Sequence, residues 1–240
     1  MALCQGCGLD KKLIKAHAIP ESFFVKMRSE HGAPKLMTDV RGTYPKKSPI
    51  GVYDNQILCR DCEDRFEEVD DYAQKLLLQS DDNHEKLIIR GKLIGYKVKD
   101  ADYRKLKLFF ISVLWRASLS KQKFYERINL GPYQEKAKDL IWASDPGKQS
   151  DFPFLVAKFT DTSIGKIILN PHPERWSGVN YNRIYLYGYV VYVKMDKRNS
   201  PDMFAKFEMV PDGDLIIVGR NIENSAELPV MTSVVKNASK

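Results

Sequence analysis

Cys4-Gln5-Gly6-Cys7 and Cys59-Arg60-Asp61-Cys62 decide how this sequence is read. Two residues separate the cysteines of each pair. That spacing lets both thiolates of a pair grip one tetrahedral metal ion. Two such pairs supply four sulfurs, which saturate a Zn²⁺ ion and leave no open position for water, so the zinc expected here is structural. Gly8 follows the first pair and suits a tight turn around a metal. The second pair is expected to open a helix. The pairs use all four cysteines of the chain. Isolated buried thiols or a redox pair account less well for the doubled layout. An ion held this way would fold a segment with no evident core of its own.

Working outward, Lys11-Lys12-Leu13-Ile14 reads as a basic, apolar strand. In Lys15-Ala16-His17-Ala18-Ile19-Pro20 the proline biases Ile19 to an extended backbone, which puts His17 on or just after a strand. A short helix is expected around Phe23, Phe24 and Met27. Residues 28–50 read as a long loop with Gly32, Pro34, Gly42, Pro45 and Pro49. Asp54-Asn55 is a turn signal between two short extended runs. Residues 63–79 read as an amphipathic helix, with Phe66, Val69, Tyr72, Ala73, Leu76 and Leu77 on one face.

Further on, residues 86–98 read as one or two strands with Gly91 and Gly95 as turns. A helix starts near Asp102 and buries Tyr103, Leu106, Phe110, Val113, Leu114 and Ala117. Another covers 132–143, with Pro132 in its first turn. Asp145–Ser150 is the best place for a boundary. Residues 152–222 are rich in Val, Ile, Tyr and Phe. Arg183–Val193 reads as one strand, and Phe204–Val210 with Leu215–Val218 as a hairpin around Pro211-Asp212-Gly213-Asp214. The fold class expected is α+β: a zinc-bound module over 1–80, then helices and an antiparallel sheet over 81–240, with a sub-boundary near 145–150.

Composition sets bounds on function. A chain of 240 residues with 43% hydrophobic residues builds one large domain or two small ones. No apolar run approaches the roughly 18 residues that cross a bilayer. No membrane partner is therefore expected. Met1-Ala2-Leu3-Cys4 lacks a basic region followed by an apolar stretch, so no secretory leader is read, and the cytoplasm is the expected compartment. The net charge of +7 favours polyanions. Lys11, Lys12, Lys15, Arg41, Lys46, Lys47 and Arg60 lie in the zinc-bound stretch, where they serve a soluble surface or, if the chain cleaves nucleic acid, would neutralise phosphates.

His17 is the candidate base. A neutral imidazole takes a proton from water near neutral pH. Asp54, Asn55, Asp61 and Glu63 cluster in sequence around the second cysteine pair, where an oxygen could orient the ring and a carboxylate could hold Mg²⁺ or Mn²⁺. Acids near a helix N-terminus are also favoured without any such role.

This layout resembles the zinc-ribboned branch of the HNH, or ββα-metal, endonucleases. The resemblance rests on CxxC, His17-Ala18-Ile19-Pro20, Asp54-Asn55 before Leu58-Cys59-x-x-Cys62, and a following helix, and it covers about residues 1–80. It implies a treble-clef zinc module. His17 would be the general base, Asp54 or Asn55 the orienting residue, and Glu63, with Asp61 as a second candidate, the ligand of a catalytic divalent ion. It implies metal-dependent hydrolysis of phosphodiester bonds, of DNA rather than RNA. The chain departs from the pattern in having Ala16 where the family places a ligand and Glu63 where it places His or Asn. The glycine pair is also missing, unless Gly42 or Gly51 fills that part. The alternative reading is an inactive zinc-stabilised subunit that binds nucleic acid, or a partner protein through the C-terminal sheet. Two further features stand apart. Arg116 ends a buried helix, where a cation suits the dipole and could instead meet a phosphate. Tyr185, Tyr187 and Tyr189 would share one sheet face.

Overall fold

Strands after Phe152, three of them buried almost along their whole length, build most of one seven-stranded sheet, and the cysteine-bearing segment packs against it through one long helix. The computed structural model describes residues 2–31, 35–36, 46–80, 84–160, 168–223, 225 and 227–229, with backbone alone for 29–31, 35–36 and 46–47. In chain order, β1 (Ala2–Leu3) pairs with β2 (Asp10–Lys11), and β3 (Ala16–His17) is followed by α1 (Glu21–His31). β4 (Lys35–Leu36) pairs with β5 (Lys46–Lys47), and β6 (Tyr53–Asp54) returns to pair with β3. The second cysteine pair opens α2 (Arg60–Glu63), and a 3₁₀ turn leads into α3 (Glu67–Gln74) and a π-helical turn to Gln79.

The rest of the chain forms β7 (Glu85–Ile89), β8 (Lys92–Val98), α4 (Tyr103–Leu119), α5 (Gln134–Ala143), β9 (Phe154–Phe159), β10 (His172–Trp176), β11 (Val179–Leu186), β12 (Tyr189–Lys194), α6 (Asp202–Ala205) and β13 (Leu215–Arg220). Seven strands form one sheet in the order β10-β11-β12-β9-β13-β8-β7. Every pairing is antiparallel except β9 with β13. The fold is α+β, as the residue pattern implies.

Helix α4 is the hub. The Asp102 side chain accepts the backbone N–H of Lys105 at 2.9 Å and caps the helix. Every residue from Leu106 to Ala117 is buried. The sequence pattern gave it a stripe, but both sides are covered. Phe23 and Phe66 of the N-terminal segment pack on Phe109 and Trp115, while Phe154 of the sheet meets Tyr103 and Phe110. Cys4, Ile19, Phe23, Leu77, Leu106, Phe110, Val191 and Ile217 therefore belong to one continuous core. The cysteine-bearing segment shares this core, and the expectation that it lacks one is corrected.

Three local expectations also change. Arg183–Val193 is two strands, because Tyr187 (φ 53°) and Gly188 (φ 88°) form a two-residue turn in the left-handed region. The register Tyr185↔Val190 and Leu186↔Tyr189 then places Tyr185 and Tyr189 in different apolar clusters. Phe204–Val210 makes no hairpin with β13. Phe204 lies in the short α6, where its ring packs on Trp176, Tyr181 and Tyr192, and β13 is claimed on both sides by β8 and β9. Gly95 is not a turn but an interior residue of β8. A Cβ there would lie 2.3 Å from the Ile217 carbonyl oxygen, so only glycine admits β13 that closely.

Gly95→Val is expected to destabilise the fold by about 1–3 kcal/mol through overpacking, read as a lower thermal midpoint. Lys107 gives a pH signature. Its ammonium is buried and donates to Tyr103 Oη at 3.1 Å and the Lys148 carbonyl at 2.7 Å. Burial brings its pKa down from 10.5 to about 8. Between those values the unfolded chain holds more protons than the folded one, so this group makes stability rise with pH across that window. Below it the protonated group costs stability, of order 3 kcal/mol. Lys107→Met is expected to remove that rise, measured as the difference between variant and wild-type denaturation midpoints from pH 7 to 10.5.

Candidate metal centre and the imidazole beside it

Backbone hydrogen bonds bring the two cysteine pairs together. Gly8 N–H closes the knuckle onto the Cys4 carbonyl at 2.8 Å, and Gly8 adopts φ +72°, as the turn requires. Gln5 N–H reaches the Ile57 carbonyl at 2.8 Å and Ile14 N–H the Leu58 carbonyl at 2.9 Å. Cys59 N–H points at the Cys4 sulfur at 3.3 Å. The four Sγ atoms of Cys4, Cys7, Cys59 and Cys62 lie within 4.8 Å of one another, and Cys7 to Cys59 is 4.0 Å. Four sulfurs about 2.3 Å from a tetrahedral ion stand roughly 3.8 Å apart, so this donor set fits a metal ion. Burial opposes ionisation of Cys4, but N–H groups of Cys7, Cys59 and Gly6 outweigh it and bring the thiol down to about 6. Burial pushes Cys59 and Cys62 up.

Gly6 is a residue the sequence reading passed over. A Cβ there would sit 2.7 Å from Cys62 Sγ and 3.0 Å from the Trp142 ring. Its signal was present inside the first CxxC, but the atom it must admit comes from the other pair.

His17 stands on β3, half-buried, with its ring edge toward Tyr53 at 5.8 Å. Nε2 lies 3.1 Å from the Ile50 carbonyl oxygen. A carbonyl only accepts, so the proton sits on Nε2 and the lone pair on Nδ1. Burial holds the imidazole below its ordinary pKa, and the charge of Glu21 opposes that only in part. The ring is therefore neutral at pH 7. Beside Ile50, Gly51 has φ +81°, and a Cβ there would lie 2.2 Å from the Phe24 ring. The turn that aims this carbonyl thus depends on glycine.

Glu63 ends α2 beneath His17. Its Oε1 accepts the backbone N–H of His17 at 3.2 Å, and its Oε2 is buried with no hydrogen-bond partner. Burial pushes this carboxyl up, and the nearby Arg116 charge pulls it back. Arg116 reaches in from α4, donates to both Asp70 oxygens at 2.9 and 2.8 Å, and lies 4.3 Å above the Phe66 ring. It is wholly buried, so its partner is Asp70 and not a phosphate.

The other acids are placed differently. Asp54 is buried, accepting Gln56 N–H at Oδ1 and Ser120 Oγ–H and Lys121 N–H at Oδ2, each at 2.9 Å. It ties β6 to the end of α4, and the Ile50 carbonyl, not Asp54, meets the imidazole. Asn55 is exposed on the turn. Asp61 pairs with Lys11 at 2.6 Å, away from Glu63's contacts. Arg60 lies 3.7 Å from Asp64, Lys15 sits 4.9 Å over the Tyr53 ring, and Lys12 is exposed. Lys46 and Lys47 form β5, their side chains outside the description, and Arg41 lies outside the described residues.

Comparison of the chain with protein families, curated proteins and solved structures finds no match. Among the described residues no helix is long and apolar enough to cross a membrane.

Gly6→Val is expected to lower the bound-metal stoichiometry of the purified chain, read by colorimetric release. Arg116→Met leaves the half-buried Asp70 carboxylate unpaired, and is expected to cost up to about 3–5 kcal/mol in chemical denaturation.

Proposed function

We propose that the four sulfurs hold a structural zinc ion and that the chain hydrolyses phosphodiester bonds of nucleic acid, DNA before RNA, in the manner of the HNH endonucleases it resembles. The observation that carries this reading is the pairing of a neutral, carbonyl-oriented imidazole with a buried carboxylate whose second oxygen lacks a partner. His17 Nδ1 takes the proton of a water that attacks phosphorus, and the Ile50 carbonyl keeps the ring in the required tautomer and orientation. Glu63 is the group suited to a divalent ion, since a cation is what an orphaned buried carboxylate oxygen lacks. Such an ion, when bound, stabilises charge on the phosphate and the leaving oxygen. Lys12 and Lys15, with Lys46, Lys47, Arg41 and Arg60, supply the phosphate contacts that place the strand.

A second reading has its own observation. Ala16, in the position where the related enzymes carry a ligand, is buried and paired with Asp54 across the hairpin. A chain missing that ligand would bind nucleic acid without cutting it, or dock a partner protein. The two readings part in one experiment. Plasmid nicking with Mn²⁺ or Mg²⁺ is expected from the wild-type chain and is expected to fall at least about a hundredfold in His17→Ala, with the melting profile kept. Salt-dependent gel shifts without nicking, unchanged in His17→Ala, would favour the binder.

A further inference from the structure

The face of the sheet turned away from α4 carries a second charged constellation. Arg183 on β11 and Arg220 on β13 converge on the carboxylate of Glu227, which comes from the segment after the last strand. Arg183 Nη1 donates to Glu227 Oε1 at 2.6 Å, Arg220 Nη1 to the same oxygen at 2.9 Å, and the Tyr185 hydroxyl to it at 3.2 Å. Arg220 Nη2 donates to Oε2 at 3.0 Å. Glu227 and Arg183 are each 3% exposed.

Both arginines stand on strands and also hold partners on neighbouring strands. Glu174 on β10 pairs with Arg183, and the Tyr192 hydroxyl on β12 accepts from Arg220 Nη1 at 2.7 Å. The Arg183 guanidinium also lies 5.0 Å from the Tyr192 ring. Glu227 belongs to no strand. It arrives with Ile222, Ser225 and Leu228, which lie over the apolar cluster of Tyr181, Tyr185 and Tyr192.

The donors are spread unevenly over the two carboxylate oxygens. Three of them crowd Oε1, whose two lone pairs serve two. Arg183 Nε–H is buried with no hydrogen-bond partner. A terminal phosphate has three acceptor oxygens and up to two negative charges, and matches this donor set better than the two-oxygen group now in place. We propose that Arg183, Arg220 and Tyr185 form a receptor for a terminal phosphate group, closed in cis by Glu227 as a displaceable plug. The phosphate could be free or could end a nucleic-acid strand; the chemistry recognised is the same. The proposal does not depend on the nuclease reading, because its test measures stability.

The test uses the full chain as Glu227→Gln and Glu227→Ala, melted with inorganic phosphate, acetate or chloride at fixed ionic strength. Phosphate is expected to raise the midpoint saturably, by roughly 2–4 °C or more, above either other anion. Adding Arg183→Met is expected to abolish that rise. Repeating the melt with 5′-phosphorylated and 5′-hydroxyl oligonucleotides separates the sources, since only the former should substitute for inorganic phosphate if a strand end is the ligand. A response to inorganic phosphate or to the phosphorylated end supports the receptor. No response to either beyond acetate and chloride, or a response that survives Arg183→Met, overturns it. If neither variant melts cooperatively, the wild-type chain decides: phosphate is expected to speed hydrogen exchange at Ile222, Ser225 and Leu228, and unchanged exchange there overturns the proposal.

Discussion

Everything in the N-terminal segment depends on four sulfur atoms that approach one another from opposite ends of a long excursion. Between Cys7 and Cys59 the chain forms the β3–β6 hairpin and α1 and then returns to the place it left. Closing so long a loop carries an entropic cost that grows slowly with its length, and a metal ion held by the four sulfurs would offset it at one point. The closure also sets geometry. Cys59 N–H faces Cys4 Sγ, and Gly6 must be bare because Cys62 Sγ occupies the space of a side chain. The same closure starts α2 at the second pair, and α2 delivers Glu63 to the backbone of His17.

The cysteine cluster does not act alone. Asp54 on the hairpin receives the Ser120 hydroxyl and Lys121 N–H at the end of α4, while Arg116, one turn earlier, holds Asp70 of α3. One helix therefore fastens both arms of the module, and its other side is buried against the sheet through Phe110 and Phe154. The Arg116–Asp70 pair need not add net stability over an apolar pair, but breaking it leaves a charge without its partner. The proposed chemistry at His17 depends on this fastening, since Glu63 feels the Arg116 charge and the ring faces a carbonyl set by the Phe24–Gly51 contact.

Much of the candidate site could be read from residue types. The paired cysteines and the half-exposed His17 before Pro20 are local signals, and the spacing rules apply to them directly. The orienting partner of the imidazole was not legible, because it is a main-chain carbonyl and any residue supplies one. Ile50 carries no chemical label. Asp54 drew attention as the nearest acid, yet one of its oxygens is held by Gln56 N–H and the other is filled by donors at the end of a helix far along the chain. Glu63 was legible as a position but not as a contact, because it meets the backbone of His17 and not its ring. The Arg183–Glu227–Arg220 cluster was invisible for a related reason: three residues on separate segments share one site only once β11 and β13 enter the same sheet.

The sequence by itself determined the two CxxC pairs, the α+β class and the helices with clear apolar periodicity, because these depend on spacing within a few turns of chain. Tertiary structure alone decided that β13 inserts between β8 and β9, that Gly95 lies inside a strand, and that the cysteine segment shares the core of the sheet. Each of these is a pairing between distant segments, settled by competition for the same backbone donors and the same apolar surface. No window of sequence contains both competitors.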